Sequence, residues 1–224
     1  MNEFAIVCEG PTDDAVIKQI LFGWFKNQPA EPVFNLAQPP IKAHRHPWEK
    51  PGVLEPGGWE NVLCYLREKK YQKALQLADY MIVQIDTDES HHQNFGVERH
   101  DDPSVMVDRV GEHLRGIIGE EDLKRYGEKF IFAICVNNTE CWLLPLWDEQ
   151  KAYKCDGCLA TLNRALAKAN ERCINPEVKD IRIYEKLAKG YRKRPVLLEK
   201  GKLNPSLKVF LEELERRNIT LTEE

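Results

Sequence analysis

A chain of 224 residues, 42% hydrophobic and 30% charged, has the balance of a single α/β domain with a small appendage, which excludes collagen, an extended coiled coil and wholesale disorder. No run approaches the roughly 18 uninterrupted apolar residues of a membrane helix, and Met1-Asn2-Glu3 lacks the basic start of a secretory leader, so the expectation is a cytoplasmic protein without a membrane partner. The formal net charge of -4 argues against a globally basic nucleic-acid wrapper, but the charge is uneven: residues 86–122 hold eleven acids against three bases, and residues 179–211 ten bases against three acids. An acidic centre followed by a basic region suits a metal site beside a phosphate-binding surface, or simply two solvated faces of opposite sign.

In chain order, Phe4-Ala-Ile-Val-Cys8 is an apolar run of the length of a buried strand. Glu9-Gly10-Pro11-Thr12 breaks it. Pro11, Asp13 and Asp14 suit a first helical turn, where a missing N–H is tolerated and negative charge complements the dipole. Val16, Ile17, Ile20, Leu21, Trp24 and Phe25 then recur at helical spacing. Residues 32–36 read as a second strand. Residues 37–58 form a long stretch rich in Pro and Gly, with Lys42, His44, Arg45, His46 and Lys50. It is either a surface excursion or a segment that closes over a substrate.

Residues 59–78 predict a helix. Tyr80-Met-Ile-Val-Gln-Ile85 predicts a third strand that stops abruptly at Asp86-Thr87-Asp88. Asp101-Asp102-Pro103 opens another helix, and Phe130–Val136 is a fourth, strongly apolar strand. Strands alternating with helices imply a mostly parallel sheet with helices on both faces, a Rossmann-like core. After Val136 the strands stop. Glu140–Leu144 starts a short helix limited by Pro145, residues 158–170 and 181–189 are helical, and Asn204-Pro205 opens a last helix through about Arg217. The expected organisation is a core over residues 1–145 with a helical extension, residues 146–224, packed on it.

Two acidic sites stand where predicted parallel strands end: Glu9 after the first, Asp86 and Asp88 after the third. That edge of an open α/β sheet is where ligands bind. Asp after a strand is also a common turn residue. Two aspartates two positions apart can face one cation if the backbone leaves the strand between them, and hard oxygen ligands suit Mg²⁺ or Mn²⁺. His91 and His92 follow the pair as loop histidines, and Glu140 follows the fourth strand as a further candidate ligand. Lys189, Tyr191, Arg192, Lys193 and Arg194 form the best phosphate-backbone run, with Tyr191 placed to stack on an unpaired base.

An apolar strand ending in Glu-Gly, then Thr-Asp and an amphipathic helix (FAIVCEGPTDDAVIKQIL), followed by an apolar strand ending in Asp-x-Asp (YMIVQIDTD), resembles the Toprim domain. Topoisomerases, bacterial primases, recombination-repair proteins and OLD-family nucleases share it. The Glu-Gly-x-Thr-Asp form is most similar to OLD-type and small stand-alone Toprim-like proteins, several of them in phage-defence systems, and Glu140-Cys-Trp-Leu-Leu144 resembles an element of some stand-alone forms. The resemblance spans roughly residues 3–145. It departs at Glu89-Ser90, where many relatives carry glycine after Asp-x-Asp.

The resemblance implies a metal-dependent endonuclease acting on DNA or RNA. Glu9 would be a general acid or base, or a ligand to a second metal; Asp86 and Asp88 would hold Mg²⁺ or Mn²⁺, with Glu140 a possible further ligand. Gly10 and Asp13 would support the site, Asp13 orienting Glu9 or merely charging the first helical turn. The chain carries no G-x-x-x-x-G-K-[ST] loop, so ATP-driven control would come from a separate ATPase subunit. A homo-oligomer is left open. Two alternatives stand beside this reading: a haloacid-dehalogenase-like phosphatase, which needs the Asp pair on the first strand, or another Asp-x-Asp metal phosphotransfer enzyme such as a nucleotide-sugar transferase; and a non-catalytic nucleic-acid-binding or scaffold subunit. The seven cysteines, mostly in apolar runs, read as reduced buried thiols. Cys155 and Cys158 form the one C-x-x-C, Cys173 offers a third zinc ligand, and no fourth is evident.

Overall fold

The computed structural model describes residues 3–39 and 57–223. Four strands, β1 (Glu3–Val7), β2 (Val33–Gln38), β3 (Tyr80–Asp86) and β4 (Phe130–Cys135), form one all-parallel sheet in the order β2-β1-β3-β4. The chain thus builds outward from β1 in one direction, then crosses to β3 and builds in the other. The reversal between β1 and β3 opens a crevice at their carboxyl ends. The bulk of the 37–58 stretch, with its Lys42, His44, Arg45, His46 and Lys50, lies outside the described residues.

Side-chain alternation sorts each strand between two apolar layers. Phe4, Ile6 and Cys8, Ile82, and Ile131, Ala133 and Cys135 face one layer, packed by α1 (Pro11–Trp24) and helices from the C-terminal third. Ala5 and Val7, Met81, Val83 and Ile85, and Phe130 and Ile134 face the other. That layer is packed by α2 (Trp59–Arg67), α3 (Tyr71–Ala74) and α4 (Pro103–Ile118). The expected single helix over 59–78 is therefore two. Lys69 takes a positive φ of 55°, which stops α2, and its ammonium pairs with Asp122 at 2.9 Å. Asp102 caps α4 by accepting the Ser104 N–H at 2.8 Å. A short helix not anticipated, α5 (Glu120–Tyr126), precedes β4.

The C-terminal third consists of α6 (Glu140–Trp147), α7 (Cys158–Lys168), α8 (Ile181–Ala188), α9 (Arg194–Lys200) and α10 (Pro205–Arg217). Pro145 lies inside α6 and does not end it. Trp142, Leu143 and Leu144 are completely buried, each adding about 1.5–3 kcal/mol of apolar burial. The Trp142 indole donates to Ser206 Oγ at 2.8 Å and stacks on Phe210. Asn204 caps α10 by accepting the Leu207 N–H at 3.1 Å. These helices share one apolar layer with β1 and α1. The cysteine expectation is corrected: Cys141 of α6 and Cys158 of α7 are joined in a disulfide, leaving Cys8, Cys64, Cys135, Cys155 and Cys173 as thiols. Cys158 is therefore not available to a zinc site with Cys155 and Cys173. Among the described residues no helix is long and apolar enough to cross a membrane.

Candidate active site: a carboxylate cluster at the carboxyl edge of the sheet

The alternation that fills the two layers also aims the acids. Along β3 the even-numbered side chains face α1, so Gln84 and Asp86 follow Ile82 onto that side, and Asp86 lies in register with Cys135 of β4. Glu9 leaves the adjacent end of β1. Its Oε1 accepts the Asp86 backbone N–H at 2.7 Å, so the two carboxylates expected to share a site do stand together. Gln84, fully buried, bridges them: its Oε1 accepts the Glu9 N–H at 3.1 Å and its Nε2 donates to Asp86 Oδ1 at 2.8 Å. Thr139 donates to the same Asp86 oxygen at 3.2 Å.

Beyond Asp86 the chain turns against the end of β4, with the Thr87 and Asp88 N–H groups both donating to the Asn137 carbonyl. Asp88 is thereby carried out of the strand while staying within electrostatic reach of Glu9 and Asp86. Asp13 is buried in the same cluster, beside Thr139 and within electrostatic reach of Glu140 and Lys179. It does more than charge a helix end. Gly10 makes room for it: a Cβ there would stand 3.3 Å from Asp13 Oδ2. Glu140, the first residue of α6 and 2% exposed, accepts from the Tyr184 hydroxyl at 2.5 Å and forms an ion pair with the Lys179 ammonium at 3.5 Å.

Five carboxylates, Glu9, Asp13, Asp86, Asp88 and Glu140, thus gather within electrostatic reach of the exposed Lys179 ammonium, which pairs with Glu140. Crowding out of water raises the proton affinity of Glu9, Asp13, Asp86 and Asp88. Burial, then the charge of Asp13, pushes Glu9 up to about 8. Burial is also the chief cause that brings Asp13 to about 6, against the opposing pull of Thr139 and Lys179. Burial, then Asp13 and Glu9, holds Asp86 well above the ordinary carboxylate range, and burial chiefly raises Asp88. Burial works against the charge of Lys179, but Glu140, Asp13 and Asp86 outweigh it and keep the ammonium above its usual value. The flanking thiols of Cys8 and Cys135 are held protonated, chiefly by burial and then by neighbouring aspartates.

Among the described residues no three His, Cys, Asp or Glu side chains close into a metal cage. Mg²⁺ does not require one. It is commonly held by one or two carboxylates, with waters and substrate phosphate filling the remaining positions. The donor set is all oxygen and carries a surplus of negative charge, which fits such an ion.

The basic run does not join this site. Arg192 lies over the Phe22 ring at 4.4 Å, and Arg194 lies over Trp24 and donates to the Trp24 carbonyl. Phe22 and Trp24 end a helix of 14 residues that begins beside Glu9, so they stand about 20 Å away at the opposite edge of the sheet. Tyr191 is fully buried and donates to the Trp142 carbonyl at 2.5 Å; the expected stacking on a base is thereby overturned. Lys189 and Lys193 are exposed on the same far face. His91 is exposed, and His92 packs against Trp59. The described end of the 37–58 stretch does reach the site: the Gly58 N–H donates to the Glu9 carbonyl at 2.7 Å. A Cβ on Gly57 would overlap that same oxygen.

Sequence reasoning passed over Gln84, Thr139, Lys179 and Tyr184. Gln84 did leave a signal, as the one polar residue inside an otherwise apolar strand. Comparison with protein-family models, with curated proteins and with solved structures finds no match to this chain.

Proposed function

We propose that this chain is a divalent-metal-dependent phosphodiesterase that cuts nucleic acid, with the carboxyl edge of β1 and β3 as its active site. The observation that carries this reading is the convergence of Glu9, Asp13, Asp86, Asp88 and Glu140 within electrostatic reach of Lys179 at the point where the strand order reverses. Asp13, Asp86 and Glu140 are buried and Glu9 and Asp88 half-buried, and like charges crowded in this way are destabilising unless a cation is to be held there. The Glu-Gly and Asp-x-Asp resemblance to Toprim nucleases supports the same assignment. The phosphatase alternative places its Asp pair on the first strand, whereas here the pair follows β3 and β1 supplies Glu9. An ATPase partner and a defence role rest on the resemblance alone.

Asp86 and Asp88 would hold Mg²⁺ or Mn²⁺, with Glu140 or Glu9 completing the set. Such an ion supplies charge stabilisation to the phosphoryl oxygens and lowers the pKa of a bound water. Glu9, its proton affinity brought near neutral pH by burial and Asp13, is placed to take a proton from the attacking water and return it to the leaving oxygen. Gln84 and the Asp86 N–H fix the Glu9 backbone and carboxylate in that position. The Lys179 ammonium, tethered by Glu140, adds positive charge where negative charge grows in the transition state. Tyr184 orients Glu140 toward that lysine.

The test is cleavage of plasmid, single-stranded DNA and transfer RNA in Mn²⁺ or Mg²⁺. Cleavage is expected with wild type and is expected to fall at least 100-fold with Asp86→Asn or with chelator. Intact substrates under wild type, or undiminished cleavage by Asp86→Asn, would contradict the proposal.

A further inference from the structure

Beside Asp88 the carboxyl edge opens into a cleft of about 680 Å³. One wall is Thr87 and Asp88 after β3 and Asn137 after β4; the other is the turn from Tyr153 to Asp156 that joins α6 to α7. Nearly every aromatic ring in the described residues is packed, but Tyr153 is 64% exposed and stands at this cleft. An unpacked ring at the mouth of a cleft is a stacking surface, since each base offers a π-face of matching size.

Two cations, Arg99 and Lys154, line the same cleft. Arg99 is anchored by a hydrogen bond to the Asp88 carbonyl. A guanidinium has five N–H donors, so that bond leaves others to meet a phosphate next to the carboxylates. Among the described residues the Lys154 ammonium makes only a long 3.5 Å contact with the Thr161 hydroxyl. Asp101 and Asp156 also line the cleft, which makes it a poor trough for a bare polyanion. Recognition there must come from the ring, with a phosphate or two positioned by Arg99 and Lys154.

We infer that this cleft seats an unpaired nucleotide, its base stacked on Tyr153 and its phosphates met by Arg99 and Lys154, so that the substrate is single-stranded nucleic acid threading past Asp88. The inference deepens the hydrolytic reading of the same edge and rests on it. Duplex is disfavoured because its bases already stack on one another. With only two phosphates contacted, the logarithm of affinity should fall with the logarithm of salt at a slope of about -1.4.

The experiment reads binding apart from chemistry. Fluorescein-labelled dT12 and rU12, and a 12-base-pair duplex, are titrated by anisotropy in EDTA against wild type, Tyr153→Ala, Tyr153→Phe and Arg99→Ala/Lys154→Ala. The two single strands separate DNA from RNA. Both Tyr153 variants are surface changes, and their melting curves check that they fold. The expected result is a single strand bound at least tenfold more tightly than duplex. Tyr153→Ala should weaken it about tenfold, Tyr153→Phe should preserve it, and the double variant should flatten the salt slope. Equal affinity for duplex, no binding of any strand, or no effect of Tyr153→Ala would overturn the inference. Hydrolysis of bis(p-nitrophenyl) phosphate by wild type in Mn²⁺ is read separately: its absence speaks against the hydrolytic reading, whatever the anisotropy shows.

Discussion

Replacing Glu9 by Gln should stabilise the metal-free protein while abolishing cleavage. Glu9 sits in the fold with its pKa raised from 4.5 to about 8. Below pH 4.5 the group is protonated in both folded and unfolded chains and contributes nothing. Between there and pH 8 the unfolded chain releases the proton and the fold retains it, so stability falls as pH rises through that window. At pH 7 the gap of about 2.5 units amounts to about 3 kcal/mol. Glutamine keeps the shape and can still accept the Asp86 N–H through its amide oxygen, so most of that penalty should be relieved. For a chain of this length the gain corresponds to a melting temperature higher by about 5–10 °C. The assay is thermal unfolding followed by circular dichroism in EDTA between pH 5 and 8.5. Wild type should lose stability from pH 5 up to about pH 8 and then level off, and Glu9→Gln should lose much less. Adding Mn²⁺ should narrow the difference by stabilising wild type, by about 2.7 kcal/mol at a concentration one hundred times the dissociation constant. A Glu9→Gln variant less stable than wild type at pH 7 in EDTA, or a wild-type profile that is flat or rising, would refute the claim that the cluster stores electrostatic strain.

Other consequences can be measured alongside. Gly57→Ala should displace the Glu9 carbonyl it would overlap and reduce kcat at least tenfold, with little change in melting temperature; unaltered kcat would show that the Gly57–Glu9 contact is dispensable. Tyr184→Phe removes the hydrogen bond to Glu140, and a bond to a charged group is worth about 1.5–3 kcal/mol. The Mn²⁺ concentration for half-maximal cleavage should therefore rise about tenfold, and an unchanged value would show that Tyr184 only packs. Lys189→Ala combined with Lys193→Ala should leave cleavage near wild type, because that face lies at the far end of α1; a large loss would return the basic run to the substrate path. Alkylation of the unfolded chain without reductant should label five cysteines and with reductant seven, and Cys158→Ala should cost about 3 kcal/mol of stability for a loop of 17 residues.

The strands were legible because continuous apolar runs of strand length have few other uses, and their abrupt ends pointed to Glu9, Asp86 and Asp88. Parallel pairing followed from the alternation with helices, and it places every strand's carboxyl end on one edge. Glu140 was readable for the same reason. Asp13 was half-read, since an acid in a first helical turn has an ordinary explanation, and only the packing of α1 shows its carboxylate turned toward Thr139. Lys179 had no local signal. It lies 39 positions beyond Glu140 in an irregular segment, and charge counts along the chain carry no information on which edge of a sheet a cation reaches. The same limit misplaced Tyr191 and Arg192–Arg194: a basic run looks alike at either end of α1, and the apolar ring of Tyr191 went to the core. The Cys141–Cys158 bond was hidden because both residues sit in sequence that reads as packed helix.

The claim that organises the account is that these carboxylates hold a divalent ion. The most direct measurement is Mn²⁺ titration followed by electron paramagnetic resonance, in which the signal of free Mn²⁺ is suppressed on binding. Wild type should bind saturably, Asp86→Asn should bind at least tenfold more weakly, and Lys189→Ala should bind as wild type. No saturable binding at millimolar Mn²⁺, or binding indifferent to Asp86→Asn, would contradict it.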